Sequence, residues 1–181
     1  IIHYFEVNGH RRVDSPTQAD YAVLVTCGVD KAAEKASLRC LSELVNDVDD
    51  KSKLILSGCL PDISPNEIKE YGNFRIVSPR RLEDFDALLA DYVSVPMKDV
   101  KYPNESIFDQ REDPTGVLSE LTPRGEYDLA KNGFKIRVNN GCLMDCSYCV
   151  IKDAMGRVTS VPYENIVGQF KVAAERKEPT I

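Results

Sequence analysis

"YAVLVTCGVDKAAEKASLRCLSELVNDVDDKSKLILSGC", residues 21–59, reads as a strand, a helix and a second strand in one continuous run. Residues 21–26 are apolar and rich in β-branched and aromatic side chains, the composition of a buried strand, and they stop at Cys27. Over 30–47, Leu38, Leu41 and Val45, with Val48 just beyond, keep helical spacing in a composition rich in Ala, Glu, Lys and Leu. Residues 53–58 are strand-like again and stop at Cys59. Two strands joined through a helix run in the same direction, so both cysteines are expected on one edge of a parallel sheet. That is the edge where open α/β sheets bind ligands.

The same alternation extends outward. "SPNE" (64–67) predicts a short helix with Ser64 as N-cap, Pro65 at the first helical position and Glu67 as capping-box partner. "FRIV" (74–77) is a third strand, and 78–93 a further helix opened by Ser78 and Pro79. From 94 to 131 the pattern dissolves around Pro96, Pro103, Pro114 and Pro123, which predicts a linker. "FKIRVNN" (134–140) restarts as a strand with Gly141 as its tight exit. Residues 160–175 form a last helix, with Pro162 near its start and Ile166, Phe170 and Val172 or Ala173 on its apolar side. The fold class is α/β: a parallel-sheet domain over 1–93, a linker over 94–131 and the start of a second domain over 132–181. There is no internal repeat or low-complexity tract.

Composition bounds the function. With 181 residues, 43% hydrophobic and 29% charged, the chain has the make-up of a soluble globular protein. Its 29 acidic and 23 basic residues leave a net charge of -6, which gives no electrostatic reason for nucleic-acid binding by this portion. No apolar run approaches the ~20 residues of a membrane span, and the N-terminus lacks the order of a signal peptide. A cytoplasmic location, without membrane contact, is expected. In a reducing compartment, clustered cysteines point to metal or redox chemistry more than to disulfides.

Three of the six cysteines fall in "GCLMDCSYC" (141–149), at Cys142, Cys146 and Cys149. The i, i+4, i+7 spacing lets one short loop fold three thiolates around an inorganic centre. A structural zinc site wants four ligands, whereas the only histidines are His3 and His10 and the nearest other cysteine is Cys59. An iron–sulfur cube held by three thiolates leaves one iron open to a substrate or cofactor. Zinc, or inert buried thiols, are the alternatives. For Cys27 and Cys59 the choice lies between metal ligands and two small apolar residues filling strand ends. Cys40 lies mid-helix, one position off the apolar stripe, and reads as a partly buried thiol with no ligand role.

The three-cysteine loop, with Tyr148 before the last cysteine, Gly141 before the first and a strand leading in, resembles that of the radical S-adenosylmethionine (SAM) superfamily. "ADYAVLVTC" (19–27), "SGC" (57–59), "LTPR" (121–124) and "AMGRVTSVP" (154–162) narrow the resemblance to the methylthiotransferases, over nearly the whole chain. The resemblance implies two [4Fe–4S] clusters. Cys142, Cys146 and Cys149 would hold the radical-SAM cluster, and Cys27 and Cys59 an auxiliary one. It also implies bound SAM with Tyr148 near its adenine, the other reading of Tyr148 being a residue that packs the loop. The reaction implied inserts sulfur at an unactivated C–H bond and methylates it, on a tRNA adenosine or a protein or peptide side chain. An external electron donor, a monomeric state and a TIM-like barrel beginning at 132 complete the expectation.

Three departures accompany it. The third auxiliary cysteine, in a "GCxxN" turn, is expected upstream of Ile1, because "IIHYFEVNGHRRVD" aligns with the end of the family's first helix and the strand after it. Val25 stands where relatives carry an Asn that orders the loop. "VTSVP" lacks their extra arginines. A barrel needs on the order of 200 residues, so the chain is expected to be a portion of a longer polypeptide. The alternative is a divergent radical-SAM enzyme whose N-terminal domain has lost its cluster and serves for docking.

Overall fold

A computed structural model describes residues 1–100 and 136–175. It divides into two compact units, one of residues 1–100 with 144–156, the other containing residues 136–143 and 157–175. Most of the predicted linker, with Pro103, Pro114 and Pro123, and also "LTPR" and residues 134–135, lie outside the described residues.

The first unit is built on three strands, β1 (Ala22–Thr26), β2 (Leu54–Gly58) and β3 (Arg75–Val77), parallel and in the order β1-β2-β3. Ala22 pairs with Leu54 and Thr26 with Gly58, while Ile55 pairs with Arg75 and Ser57 with Val77. The middle strand is covered on both faces, which is why "LIL" (54–56) is an unbroken apolar run. Ile55 packs with Tyr4, Val77, Phe85 and Leu89 on one face. Its neighbour Leu56 packs with Leu41, Leu60 and Ile68 on the other. Each of these side chains contributes about 1.5–3 kcal/mol by leaving water.

Helices cover both faces. On the Ile55 side lie α1 (Ile2–Val7) and α5 (Asp84–Leu88); on the Leu56 side lie α2 (Lys31–Asp47), α3 (Leu60–Ile63) and α4 (Pro65–Lys69). Asp30 caps α2, its carboxylate accepting from the Ala33 N–H at 2.8 Å. The most deeply buried positions of α2 are Ala33, Ala36, Ser37, Cys40 and Leu41, rather than the stripe Leu38, Leu41, Val45, Val48. Small residues let the helix approach the sheet closely, so Cys40 is buried outright, at 6% exposure.

Four local expectations are corrected. The Ser64 hydroxyl does not cap α4: it donates to Glu34 Oε1 of α2 at 3.0 Å. Nor does Glu67 complete a capping box: the Ser64 N–H donates to the Leu60 carbonyl at 2.8 Å. The buried Glu34 carboxylate needs donors, and that demand outweighs the local cap. The predicted helix over 78–93 shrinks to α5 and a 3-10 turn at Ala90–Tyr92. Ser78 donates to Asp62 Oδ2 at 2.8 Å, and the Arg81 N–H donates back to the Ser78 carbonyl in a turn. Asp86 further ties α5 to its neighbours, accepting from the Tyr4 hydroxyl at 2.9 Å and the Met97 N–H at 3.0 Å. No strand follows α1; a 3-10 turn at Pro16–Gln18 leads into β1 instead.

The first unit also contains α6 (Ile151–Met155), which packs against α3. In the second unit β4 (Asn139–Asn140) pairs antiparallel with β5 (Thr159–Ser160), and α7 (Tyr163–Glu175) follows. The predicted strand over 134–140 is thus paired only at its last two described residues, plus a bond from the Val161 N–H to the Val138 carbonyl. On α7 Ala173 is buried, as its spacing predicts, but Phe170 is 56% exposed.

Candidate functional site

Cys27 and Cys59 follow β1 and β2 directly, at the carboxyl ends of two hydrogen-bonded parallel strands. Three local devices hold them there. Gly58 has φ of 89°, and a Cβ on it would lie 2.0 Å from the Thr26 carbonyl oxygen, so only glycine lets the two strand ends come this close. The Cys59 N–H then donates to that same Thr26 carbonyl at 3.0 Å, while the Thr26 hydroxyl donates to the Ser57 carbonyl at 2.7 Å. Across the layer, Ser37 of α2 clasps Cys27: its hydroxyl accepts from the Cys27 N–H and donates to the Cys27 carbonyl, both at 2.9 Å. One hydroxyl thus satisfies both backbone polar groups of Cys27.

Electrostatics agree with the geometry. Burial pushes the Cys59 thiol above its ordinary value, and the neighbouring Cys27 and then Asp62 push it further. Two thiols whose ionised forms repel each other are a donor pair that a cation would stabilise. Sulfur ligands suit iron–sulfur clusters or zinc, so the pair fits such a group in kind.

In the loop of 141–149, Gly141 has φ of 80°, and Cys142 forms an isolated bridge to Arg157 in the second unit. Cys146 and Cys149 belong to the first unit, in a turn closed by the Cys149 N–H donating to the Cys146 carbonyl at 3.1 Å. Lys152 of α6 pairs with Asp145. All three cysteines are partly exposed. Tyr148 is 86% exposed and so does not pack the loop. Among the described residues, no three His, Cys, Asp or Glu side chains are gathered closely enough to hold a metal ion.

Ser37, Gly58 and Arg80 also serve the site, although the motifs of the sequence do not mark them. Ser37 was open to detection as a hydroxyl on the buried face of a helix, and Gly58 as a glycine at a strand end beside a cysteine. Arg80, whose guanidinium donates to the Asp153 carbonyl of α6 at 3.0 Å, carried no local signal.

Residues 1–77 match the family model described as "Uncharacterized protein family UPF0004". Over 170 residues, 94% of this chain and 37% of the relative, the sequence is 28% identical to the Pyrococcus horikoshii protein named "Probable threonylcarbamoyladenosine tRNA methylthiotransferase". Over most of its length the sequence is similar to methylthiotransferases. It is also 26% identical, over 90% of its length and 35% of the relative's, to the "Ribosomal protein uS12 methylthiotransferase RimO" of Clostridium acetobutylicum. With the "Threonylcarbamoyladenosine tRNA methylthiotransferase MtaB" of Rickettsia prowazekii it shares 29% identity, over 83% of this chain and 32% of that one. The chain therefore spans about a third of the length of these methylthiotransferases. No solved structure matches it. Among the described residues, no helix is long and apolar enough to cross a membrane.

Proposed function

We propose that the polypeptide carrying this chain is a radical-SAM methylthiotransferase, which inserts sulfur at an unactivated C–H bond and methylates it. The observation that carries this reading is the meeting of Cys27 and Cys59 at adjacent parallel strand ends, in a chain whose relatives bear methylthiotransferase names. Cys27 and Cys59 are then ligands of an auxiliary [4Fe–4S] cluster, and Cys142, Cys146 and Cys149 hold a second one. Tyr148, exposed on the same loop, would contact SAM when it binds. When bound, the second cluster supplies the electron that splits a carbon–sulfur bond of SAM. The chain's own residues hold the thiols in place: Ser37 fixes the Cys27 peptide, and Gly58 brings Cys59 to the same edge.

The substrate class is a tRNA adenosine or a protein or peptide side chain, with an external electron donor, in a cytoplasmic monomer. Residues 1–93 form the auxiliary-cluster domain, 94–131 the linker, and 132–181 the start of a TIM-like radical-SAM barrel.

The test is anaerobic reconstitution of the full-length protein, with iron analysis and mass spectrometry of the products formed with SAM and a reductant. About eight irons per chain are expected if both cysteine groups hold cubes. 5'-Deoxyadenosine is expected to form and to disappear on substituting any of Cys142, Cys146 or Cys149. Tightly bound zinc with no SAM cleavage overturns the reading. About four irons, lost in Cys142→Ala and untouched in Cys27→Ala, leave the docking-module alternative in its place.

A further inference from the structure

Two cysteine-bearing segments lie within the first unit, and each runs directly into a short helix. Cys59 is the N-cap of α3, and the Cys146–Cys149 turn leads through Val150 into α6. These two helices pack against each other. The spacing between the two cysteine segments is therefore governed by whatever fixes α6 on α3.

Arg80 is built for that task. It lies in the turn after β3, beyond Ser78, whose hydroxyl is anchored to Asp62 of α3 at 2.8 Å. From there the Arg80 guanidinium donates to the carbonyl of Asp153 at 3.0 Å. That carbonyl belongs to the last turn of α6, where carbonyls lack intrahelical partners and the helix dipole favours a cation. The helix then ends at Gly156, with φ of 72°, a conformation that costs glycine nothing. The stem of Arg80 runs along this glycine: a Cβ on Gly156 would sit 3.3 Å from Arg80 Cδ. Helix end, bare glycine and cation thus form one clasp between α6 and the turn anchored on α3.

We infer that Arg80 is a positioning residue, which holds the Cys146–Cys149 turn at a fixed separation from the Cys27–Cys59 edge by clasping the end of α6. Its consequence for catalysis rests on the function proposed above: sulfur held at one cysteine group must reach a carbon activated at the other.

The clasp is tested in the full chain, free of clusters, with a bis-maleimide of short span and peptide mapping of the cross-linked thiols. Arg80→Ala is expected to lower the yield of the Cys59–Cys149 cross-link about fivefold, of the order that loss of one charge-assisted hydrogen bond produces. The Cys27–Cys59 cross-link and the thermal midpoint are expected to stay as they were, and Arg80→Lys to recover part of the loss. Gly156→Ala, which crowds the Arg80 stem, is a second variant expected to lower the same cross-link. An unchanged Cys59–Cys149 yield in Arg80→Ala overturns the assignment, as does a parallel fall in the Cys27–Cys59 yield, which marks a general loosening. In the reconstituted enzyme, Arg80→Ala is expected to raise the ratio of 5'-deoxyadenosine to methylthiolated product; an unchanged ratio overturns the catalytic consequence. If the wild-type enzyme makes no methylthiolated product, the functional reading falls while the cross-linking result still decides the clasp.

Discussion

At Gly58 the need for glycine is both steric and conformational. A methyl group there would collide with the Thr26 carbonyl, which is backbone within the sheet and has nowhere to move, and φ of 89° disfavours any other residue. Gly58→Ala is expected to cost more than about 3 kcal/mol in urea unfolding, because the strand ends must part. Ser37 acts at the same scale by a different means. Its hydroxyl serves both backbone polar groups of Cys27, and Ser37→Ala leaves an N–H and a carbonyl without that partner. The expected loss is about 1–3 kcal/mol in urea unfolding. In the reconstituted protein the same variant is expected to hold less iron at the Cys27 group than at the three-cysteine loop. Backbone order at Cys27 thus comes from α2, across the layer, and not from the strand end itself.

At the scale of elements, the join between α2 and α4 runs through a pair of carboxylates. Lys31 holds Glu34 below the ordinary carboxylate range by its 2.6 Å hydrogen bond, with the bonds from Glu67 and Ser64 acting in the same direction. Glu67 is raised, first by its hydrogen bond to Glu34. The two shifts have opposite signs in linkage. What Glu34 contributes is present above its unfolded value and lost as pH falls through its lowered folded value. What Glu67 contributes is present below its unfolded value and lost as pH rises through its raised folded value. The join is therefore tightest above Glu34's lowered value and below Glu67's raised one, where the two carboxyls share one proton, and it weakens as pH rises through the latter. Glu67→Gln keeps a donor for Glu34 without a second charge. It is expected to be more stable than wild type at neutral pH and to lose most of that advantage in mild acid. Urea unfolding of both proteins at the two pH values measures this; a difference that does not vary with pH contradicts the shared proton.

For the whole molecule, the two cysteine groups divide the proposed chemistry between radical generation and sulfur supply. Cys59→Ala is expected to leave 5'-deoxyadenosine formation intact, since Cys142, Cys146 and Cys149 are untouched, while abolishing the methylthiolated product. Mass spectrometry of both products in one reaction measures the split, and methylthiolation at the wild-type level in Cys59→Ala means the sulfur comes from elsewhere. The sequence by itself determined β1, α2 and β2, because short β-branched apolar runs and helical spacing are local signals carried within a few residues of where they act. It also determined that Cys27 and Cys59 leave one edge, since strands joined by a helical crossover run parallel. Only the tertiary structure decided that Ser64 turns to Glu34, that Ser37 clasps Cys27 and that Arg80 reaches Asp153. Those partners lie 30, 10 and 73 positions apart, and each choice pits a local hydrogen bond against a buried or helix-terminal group brought close by the packing of the sheet's two faces. A buried carboxylate, an enclosed peptide and an open helix end all demand partners in three dimensions, and no period or cap in the chain records which residue will answer.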